Sequence, residues 1–519
     1  MRSSFEIGRA FALVVLFAAP ALGQISLHPL GSYRTGVFAA GASEITAYDP
    51  ATRRLFITNG DTGDLDVVSI SDPANPALLF SIDLSSFGVR ANSVSTHGGL
   101  LAAAVENSDR QQPGKAVFYA AGCSHPCAPL GAVTVGALPD MLTFTPDGSK
   151  VLVANEGEPN DDYTVDPEGS VSIVDLSGSV GSATVTTADF TAFNGGPLDP
   201  GVRVFGFGAT VAQDLEPEYI AVSADSKTAW VTLQENNAVA VVDLDAGVVT
   251  RLAALGTKDH RRPFNGLDAS NEDGAIRIER WPVRGMYLPD AIASVRFGHR
   301  TFLITANEGD SRDYPGFSEE ERVGDLVLDP QRFPDAADLQ LDANLGRLKV
   351  TNTAGDSDGD GDFDVLFSFG ARSFTVWTDD LRRAFDSRDD LERITAAALP
   401  DDFNSDDEEN DSFDSRSDDK GPEPEGLAVG TLDGRTYLFL GLERIGGIVV
   451  YEVTVPYHPR FVEYVNSRDF AGDPADDTAG DLSPEGLLFI PAADSPIADP
   501  LLVVSYEVSG STTVYRIAP

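Results

Sequence analysis

Acidic side chains recur along this 519-residue chain at spacings that could gather metal ligands. A proline or small residue followed by Glu, Asp or Asn opens an apolar run, and after a polar turn a second apolar run ends in Glu or Asn. The clear copies are Pro139-Asp140 to Asn155-Glu156, Pro217-Glu218 to Gln234-Glu235, Pro289-Asp290 to Asn307-Glu308, Pro424-Glu425 to Leu442-Glu443 and Pro484-Glu485 to Tyr506-Glu507. Two weaker copies precede them, Ser43-Glu44 to Thr58-Asn59 and Asn92-Ser93 to Glu106-Asn107. Equivalent positions define an opening set (Glu44, Asn92, Asp140, Glu218, Asp290, Glu425, Glu485) and a closing set (Asn59, Glu106, Glu156, Glu235, Glu308, Glu443, Glu507). Carboxylates diluted by a few amides suit Ca2+, which takes roughly six to eight oxygen ligands in flexible geometry. The expected metal ligands are Glu156, Glu218, Asp290, Glu308, Glu425, Glu443 and Glu485. The same side chains have a second use, accepting hydrogen bonds from neighbouring repeats and fastening them together.

A separate signal is the run Asp356, Asp358, Asp360, Gly361, Asp362 and Asp364. Its Asp-x-Asp-x-Asp-Gly spacing fits a structural Ca2+ loop, but the place of the usual bidentate Glu is Phe367, so Asp362 or Asp364 is expected to close it. The competing reading is a solvated acidic turn. From Asp401 to Asp419 the only base is Arg416, so this stretch is expected to repel itself and stay mobile unless cations gather there. Arg312, Arg416, Lys420 and Arg444 fall beside the recurring acids. A metal and an Arg facing one cavity can clamp phosphate, although each base is also a ready salt-bridge partner.

Short strands must position these groups. Helical periodicity is nearly absent, while β-branched and aromatic runs bounded by Gly, Pro, Asp and Asn recur throughout. Most copies continue into a third strand and often a fourth. The expectation is an all-β fold, a seven-bladed β-propeller occupying residues 24–519 as one domain, with an open β-sandwich of tandem domains as the alternative. The last copy lacks a fourth strand, and Ile25 to Tyr33 is free to fill that place and close the ring. Surplus length falls into insertions at about 251–284, 309–370 and 399–421, expected to be loops around the channel mouth.

The composition narrows function. With 81 acidic against 37 basic residues the net charge is −44, which excludes nucleic acid and anionic lipid as partners and favours cations. A 42% apolar content is enough for a large folded core. Cys123 and Cys127 are the only cysteines and are expected to form a local disulfide; a zinc site is the competing idea, with six scattered His and no Cys-x-x-Cys pair. No Gly-x-Ser-x-Gly elbow, Walker loop or dinucleotide fingerprint is present, so covalent acyl chemistry has no support. Arg2, Arg9, the apolar Ala10 to Leu22 and the small-residue pattern before Gln24 read as a secretory signal peptide over residues 1–23, placing the mature protein outside the cytoplasm or in a periplasm. No other segment is long and apolar enough for a transmembrane span.

Separated blocks then add a resemblance. Gly31 to Phe38 with Ala42 to Asp49, Ala154 to Pro159, Thr305 to Arg312, Gly355 to Asp364 with Phe369 to Phe374, Ser417 to Gly426, Gly441 to Gly447 and Ser483 to Pro491 resemble the choice-of-anchor I family, itself similar to mesenchyme-specific cell-surface glycoproteins of biomineralising animals. The resemblance implies an extracytoplasmic β-propeller, in bacteria commonly tethered by a variable C-terminal segment. Here Pro519 follows the final strand directly, which points to free secretion or a periplasmic location. Some members are labelled alkaline phosphatase, and the Pro-Glu-Gly repeats look like those of phytase-type propellers that use Ca2+ to hold phosphate. Two functions follow. One is a secreted Ca2+-binding surface or matrix protein for adhesion, ion handling or mineral association. The alternative is a Ca2+-dependent phosphoester hydrolase in which Glu308 and Glu443 hold metal while Arg312, Arg444 or Lys420 clamps phosphate.

Overall fold

The computed structural model describes residues 25–519. The leader segment expected over residues 1–23 lies outside the described residues. Seven four-stranded antiparallel sheets dominate the described residues; six span residues 46–82, 90–137, 139–189, 217–254, 292–386 and 424–465. The seventh combines Pro484–Ile490, Leu501–Tyr506 and Ser511–Ala518 with Ser26–Arg34 from the other end of the chain. Each sheet's first strand lies against that of the next, and Pro484–Ile490 lies against Thr46–Asp49, so the order is cyclic. The fold is a β-propeller, as the strand pattern predicts.

Burial follows from this arrangement. In the first sheet Arg54–Thr58 and Leu65–Ser69 are almost wholly buried, while the outer strand Ala77–Ile82 exposes its leading residues. Leu, Val and Ile side chains from adjacent sheets fill the gaps between them, as in the cluster joining Leu152, Val171 and Ile173 to Ile220, Val231 and Val242. Ser26–Arg34 runs antiparallel to Ser511–Ala518, with Ser26 opposite Ala518 and Arg34 opposite Ser511. Ile25 and Leu27 insert beside Tyr506, Tyr515 and Ile517, so the two chain ends share one core.

The insertions are more structured than loops. Thr257–Asp259 and Val283–Met286 from the first join Glu320–Arg322, Lys349–Thr351 and Leu366–Ser368 from the second in a five-stranded sheet. Its own core includes Leu267, Trp281, Val323, Leu345 and Leu366. The acidic stretch 401–419 corrects the expectation of a self-repelling segment, because it is packed and paired. Asp407 meets Arg444 at 3.1 Å, Asp418 meets Arg347 at 3.5 Å and also Arg322, and Asp419 meets Lys349 at 3.2 Å. Arg322, Arg347 and Lys349 from a distant insertion, with Arg444 of the sixth sheet, neutralise what the local sequence leaves unbalanced. Cys123 and Cys127 are disulfide-bonded.

Closure through the terminal strand is testable by unfolding. Leu27→Ala removes a side chain left only 5% exposed and should cost about 2–4 kcal/mol in urea denaturation. Leu79→Ala, on an outer strand at 47% exposure, should change stability by less than about 0.5 kcal/mol.

Candidate metal centre

A local device repeated at the start of the innermost strands aims the opening acids. Leu138, Leu288, Glu423 and Ser483 hold positive φ (44°, 40°, 47° and 61°) just before Pro139, Pro289, Pro424 and Pro484. Proline donates no hydrogen bond, so it fits the first strand position. The pairing register then slips by one residue between Pro139 and Leu142, Pro217 and Ile220, Pro424 and Leu427, and Pro484 and Leu487. Such a bulge turns one side chain off the regular alternation, and here it falls on the acid. Glycine completes the motif in two sheets. A Cβ on Gly426 would lie 1.8 Å from the Glu485 carbonyl oxygen, and one on Gly486 would lie 2.4 Å from that of Glu44. Only glycine lets these inner strands approach so closely.

Six of the seven opening residues (Glu44, Asn92, Asp140, Asp290, Glu425 and Glu485) line one axial cavity of about 330 Å³, together with Glu156, Glu158, Glu507, Arg90 and Arg110. The seventh, Glu218, stands beside it, with carboxylate oxygens of Asp140, Glu156 and Glu218 all within 4.8 Å of one another. Burial is the main reason their protons are held. It pushes Glu44 up to about 8, helped by Glu507 and opposed by Arg90. Asp140 rises to about 7 through burial and the Glu158 charge, against Arg90 and Arg110. Burial also raises Glu235 to about 8. Glu156, Glu218, Asp290, Glu425 and Glu485 are all driven well above the usual carboxylate range by burial and by one another. Glu235 Oε2 and Glu425 Oε2 are buried without hydrogen-bond partners among the described residues.

The closing set divides. Glu156 and Glu507 face the cavity, while Glu106 is paired with Arg90 at 3.1 Å and Asn59 turns away to donate to Asp66 at 3.1 Å. Glu308 and Glu443 gather with Glu423, their carboxylate oxygens within 4.8 Å. Bases neutralise this group. Lys420 Nζ lies 2.6 Å from Glu308, 3.2 Å from Asp310 and 3.4 Å from Glu423. Arg444 reaches Glu443 at 2.8 Å and Glu423 at 3.5 Å. Burial opposes the Lys420 charge, yet Glu308, Asp310 and Glu423 together push it well above the ordinary lysine range.

Arg312 corrects the expectation of a phosphate clamp. It is 2% exposed, donates from Nε to Glu216 at 3.2 Å and from Nη2 to the Asp214 carbonyl at 2.7 Å, and pairs through Nη1 with the Asp214 carboxylate. Phe205 covers its face at 4.6 Å. The Asp loop is also rearranged. Asp356, Asp358 and Asp360 form one exposed group, whereas Asp362 and Asp364 gather with Asp329 instead of closing it. Glu158, Glu216, Glu423, Arg90 and Arg110 escaped the sequence reading. Glu158 and Glu423 were visible as second acids in Asn-Glu-Gly-Glu and Pro-Glu-Pro-Glu, whereas Arg90 and Arg110 carry no motif.

Fold and site together define a β-propeller with a carboxylate-lined axial mouth. The choice-of-anchor I domain profile matches residues 44–456, and the chain belongs to that family. It is 33% identical over 190 residues to Gigasin-3a of Magallana gigas, covering 34% of this chain and 66% of that protein. It is 30% identical over 299 residues to the mesenchyme-specific cell surface glycoprotein of Strongylocentrotus purpuratus, covering 49% of this chain and 36% of that one. The chain thus spans less than two thirds of either relative. Solved structures similar to it include the β-propeller domain of Myceliophthora thermophila Cps50 (Swd1), at TM-score 0.45 and 8% identity over 95% of this chain and 99% of that one. Kuenenia stuttgartiensis hydrazine synthase gives a TM-score of 0.48 and 11% identity over 93% of this chain and 99% of the other. No helix among the described residues is long and apolar enough to cross a membrane.

The ion-pair role of Arg312 has a direct test. Arg312→Met strands Asp214 and Glu216 as buried charges and should cost about 3–5 kcal/mol in chemical denaturation. A ligand-facing arginine would instead leave stability nearly unchanged.

Proposed function

We propose that this protein is a Ca2+-binding surface propeller acting outside the cell, with the metal held at the axial mouth by Asp140, Glu156 and Glu218. Neighbouring Asp290, Glu425 and Glu485 supply further oxygens. One observation carries the reading: the three carboxylates converge within 4.8 Å, and none of them is in an ion pair among the described residues. Family membership and the cell-surface name of the sea-urchin relative support the location, and the leader-like residues 1–23 agree with it. The exposed trio Asp356, Asp358 and Asp360 is a second, weaker ion site in this reading. The hydrolase alternative finds less support, because Glu308 and Glu443 already hold Lys420 and Arg444, and Arg312 is enclosed.

Calorimetry should show Ca2+ binding to the parent that is lost in Asp140→Asn/Glu218→Gln and retained in Asp358→Asn. At a hundredfold excess over Kd the ion should add about 2.7 kcal/mol to stability. Binding unchanged in the double variant overturns the site.

The raised carboxyls give a pH dependence. Folded Asp140, Glu44 and Glu235 keep protons to about pH 7, 8 and 8, whereas in the unfolded chain they release them near about pH 4. The native state therefore binds more protons, and without divalent ions these groups stabilise fully below about pH 4 and lose that contribution as the pH rises through 7 to 8. Thermal melts in chelator should fall across this window, and Ca2+ should remove most of the fall above pH 7.

A further inference from the structure

Away from the axis, the first insertion packs beside the fifth and sixth sheets around a cavity of about 490 Å³ whose lining includes Arg262, Arg383, Asp386, Arg388, Tyr457 and His458. We propose that this pocket binds an acidic saccharide, a pyranose carrying one carboxylate or sulfate.

Charge is the first argument. In a chain with 81 acids and 37 bases, a base is expected to find a carboxylate. Arg383 instead bonds the Tyr287 hydroxyl, Arg388 lies 5.9 Å from the Phe264 ring centre, and neither has an ion pair among the described residues. Arg262 reaches Asp259 only at 3.8 Å and is 73% exposed. Three guanidinium groups and one imidazole thus line a pocket whose one carboxylate, Asp386, already faces buried Lys258 at 3.5 Å. Guanidinium groups match carboxylate and sulfate oxygens in forked pairs.

The pocket is also held in shape. Buried Lys258 donates to the Ala371 carbonyl at 2.7 Å and to the Arg388 carbonyl, fixing one rim. His260, buried and therefore kept neutral, donates from Nδ1 to the Asn265 carbonyl at 2.7 Å and fixes the other. Asp389 N–H joins the rims by donating to the Phe264 carbonyl at 3.1 Å. Phe264 and Arg388 both hold left-handed backbone, φ 64° and 63°, which non-glycine residues keep only where the surroundings enforce it.

A sugar ring accounts for the rest of the lining. Tyr457 is 45% exposed yet braced edge-on by Phe302 at 5.7 Å, offering a flat face to pyranose C–H groups. The volume lies within the roughly 300–1,000 Å³ of small-molecule sites. The net charge of −44 repels long polyanions, whereas a ligand with one charge senses mainly the local arginines, since screening acts over about 10 Å at 0.1 M salt. That favours a single acidic sugar over nucleic acid.

The test is calorimetric titration of the full chain with galacturonate, galactose 6-sulfate, galactose, inorganic sulfate and a DNA oligonucleotide. At least one acidic sugar should bind, and the tighter of the two identifies the anionic group. Galactose should bind at least about tenfold more weakly, and Arg383→Gln or Arg388→Gln should cost a similar factor, the loss expected for one charge-assisted hydrogen bond. Inorganic sulfate or DNA binding as tightly as the acidic sugars overturns the proposal, as does no binding of either sugar. So does binding that survives in Arg383→Gln/Arg388→Gln with an unchanged melting temperature. Ca2+ binding at the axis should be the same in all these variants, so this pocket and the metal site fail independently.

Discussion

Like charges crowded at the propeller axis are the constraint on which the rest of the structure depends. Two carboxylates 4.8 Å apart repel by about 3.5 kcal/mol at an effective dielectric constant of 20, and Asp140, Glu156 and Glu218 form three such pairs. The sum of about 10 kcal/mol rivals the whole stability of an ordinary domain. These acids cannot all stay charged in the folded chain without compensation. Three remedies exist: retained protons, fixed bases or a bound cation. The two parts of the rim adopt different ones. Around Glu308, Glu423 and Glu443 the fold supplies Lys420 and Arg444. Around Asp140 and Glu218 it supplies no base of that kind, and protons or a cation must serve.

The insertions set up this difference from a distance. Lys420 ends the acidic stretch 401–419, which would repel itself if left alone. Arg347 and Lys349, on or beside a strand of the subsidiary sheet, pair with Asp418 at 3.5 Å and Asp419 at 3.2 Å and hold it against the propeller. Arg372 adds two bonds of 2.8 Å to the Ser417 and Asp419 carbonyls. Lys420 is thereby delivered to Glu308. A sheet assembled from two insertions thus helps to decide which part of the rim is neutralised by fixed bases and which keeps unpaired acids.

The propeller strands and the opening acids were legible because their causes are local. Proline at a strand start, an acid on the bulge and glycine where the next strand crosses each leave a mark on sequence, and Pro484-Glu485-Gly486 contains all three. The partners of the bases were not legible. Glu308-Gly-Asp-Ser-Arg312 suggests an arginine serving its neighbours, but the carboxylates that hold it, Asp214 and Glu216, are 98 and 96 residues away in sequence. The subsidiary sheet was hidden for a related reason. Its strands are three or four residues long, too short to show a period, and Val283 to Gly285 pairs in parallel with Leu366 to Ser368 from another insertion.

Arg90 and Arg110 then set how much negative charge the mouth can carry. Both line the axial cavity, Arg90 bound to Glu106 at 3.1 Å and Arg110 to Glu158 at 2.9 Å, with Tyr314 donating to Glu158 at 3.1 Å. Their charges oppose the rise of Asp140, and so ease its ionisation. The same charges weaken the negative field inside the mouth. A ring of acids without arginines would draw cations more strongly, but would cost more to fold in their absence. Two bases among the lining reduce that cost while leaving Glu218, Asp290, Glu425 and Glu485 without an ion pair among the described residues, so protons held by burial must carry the rest of it.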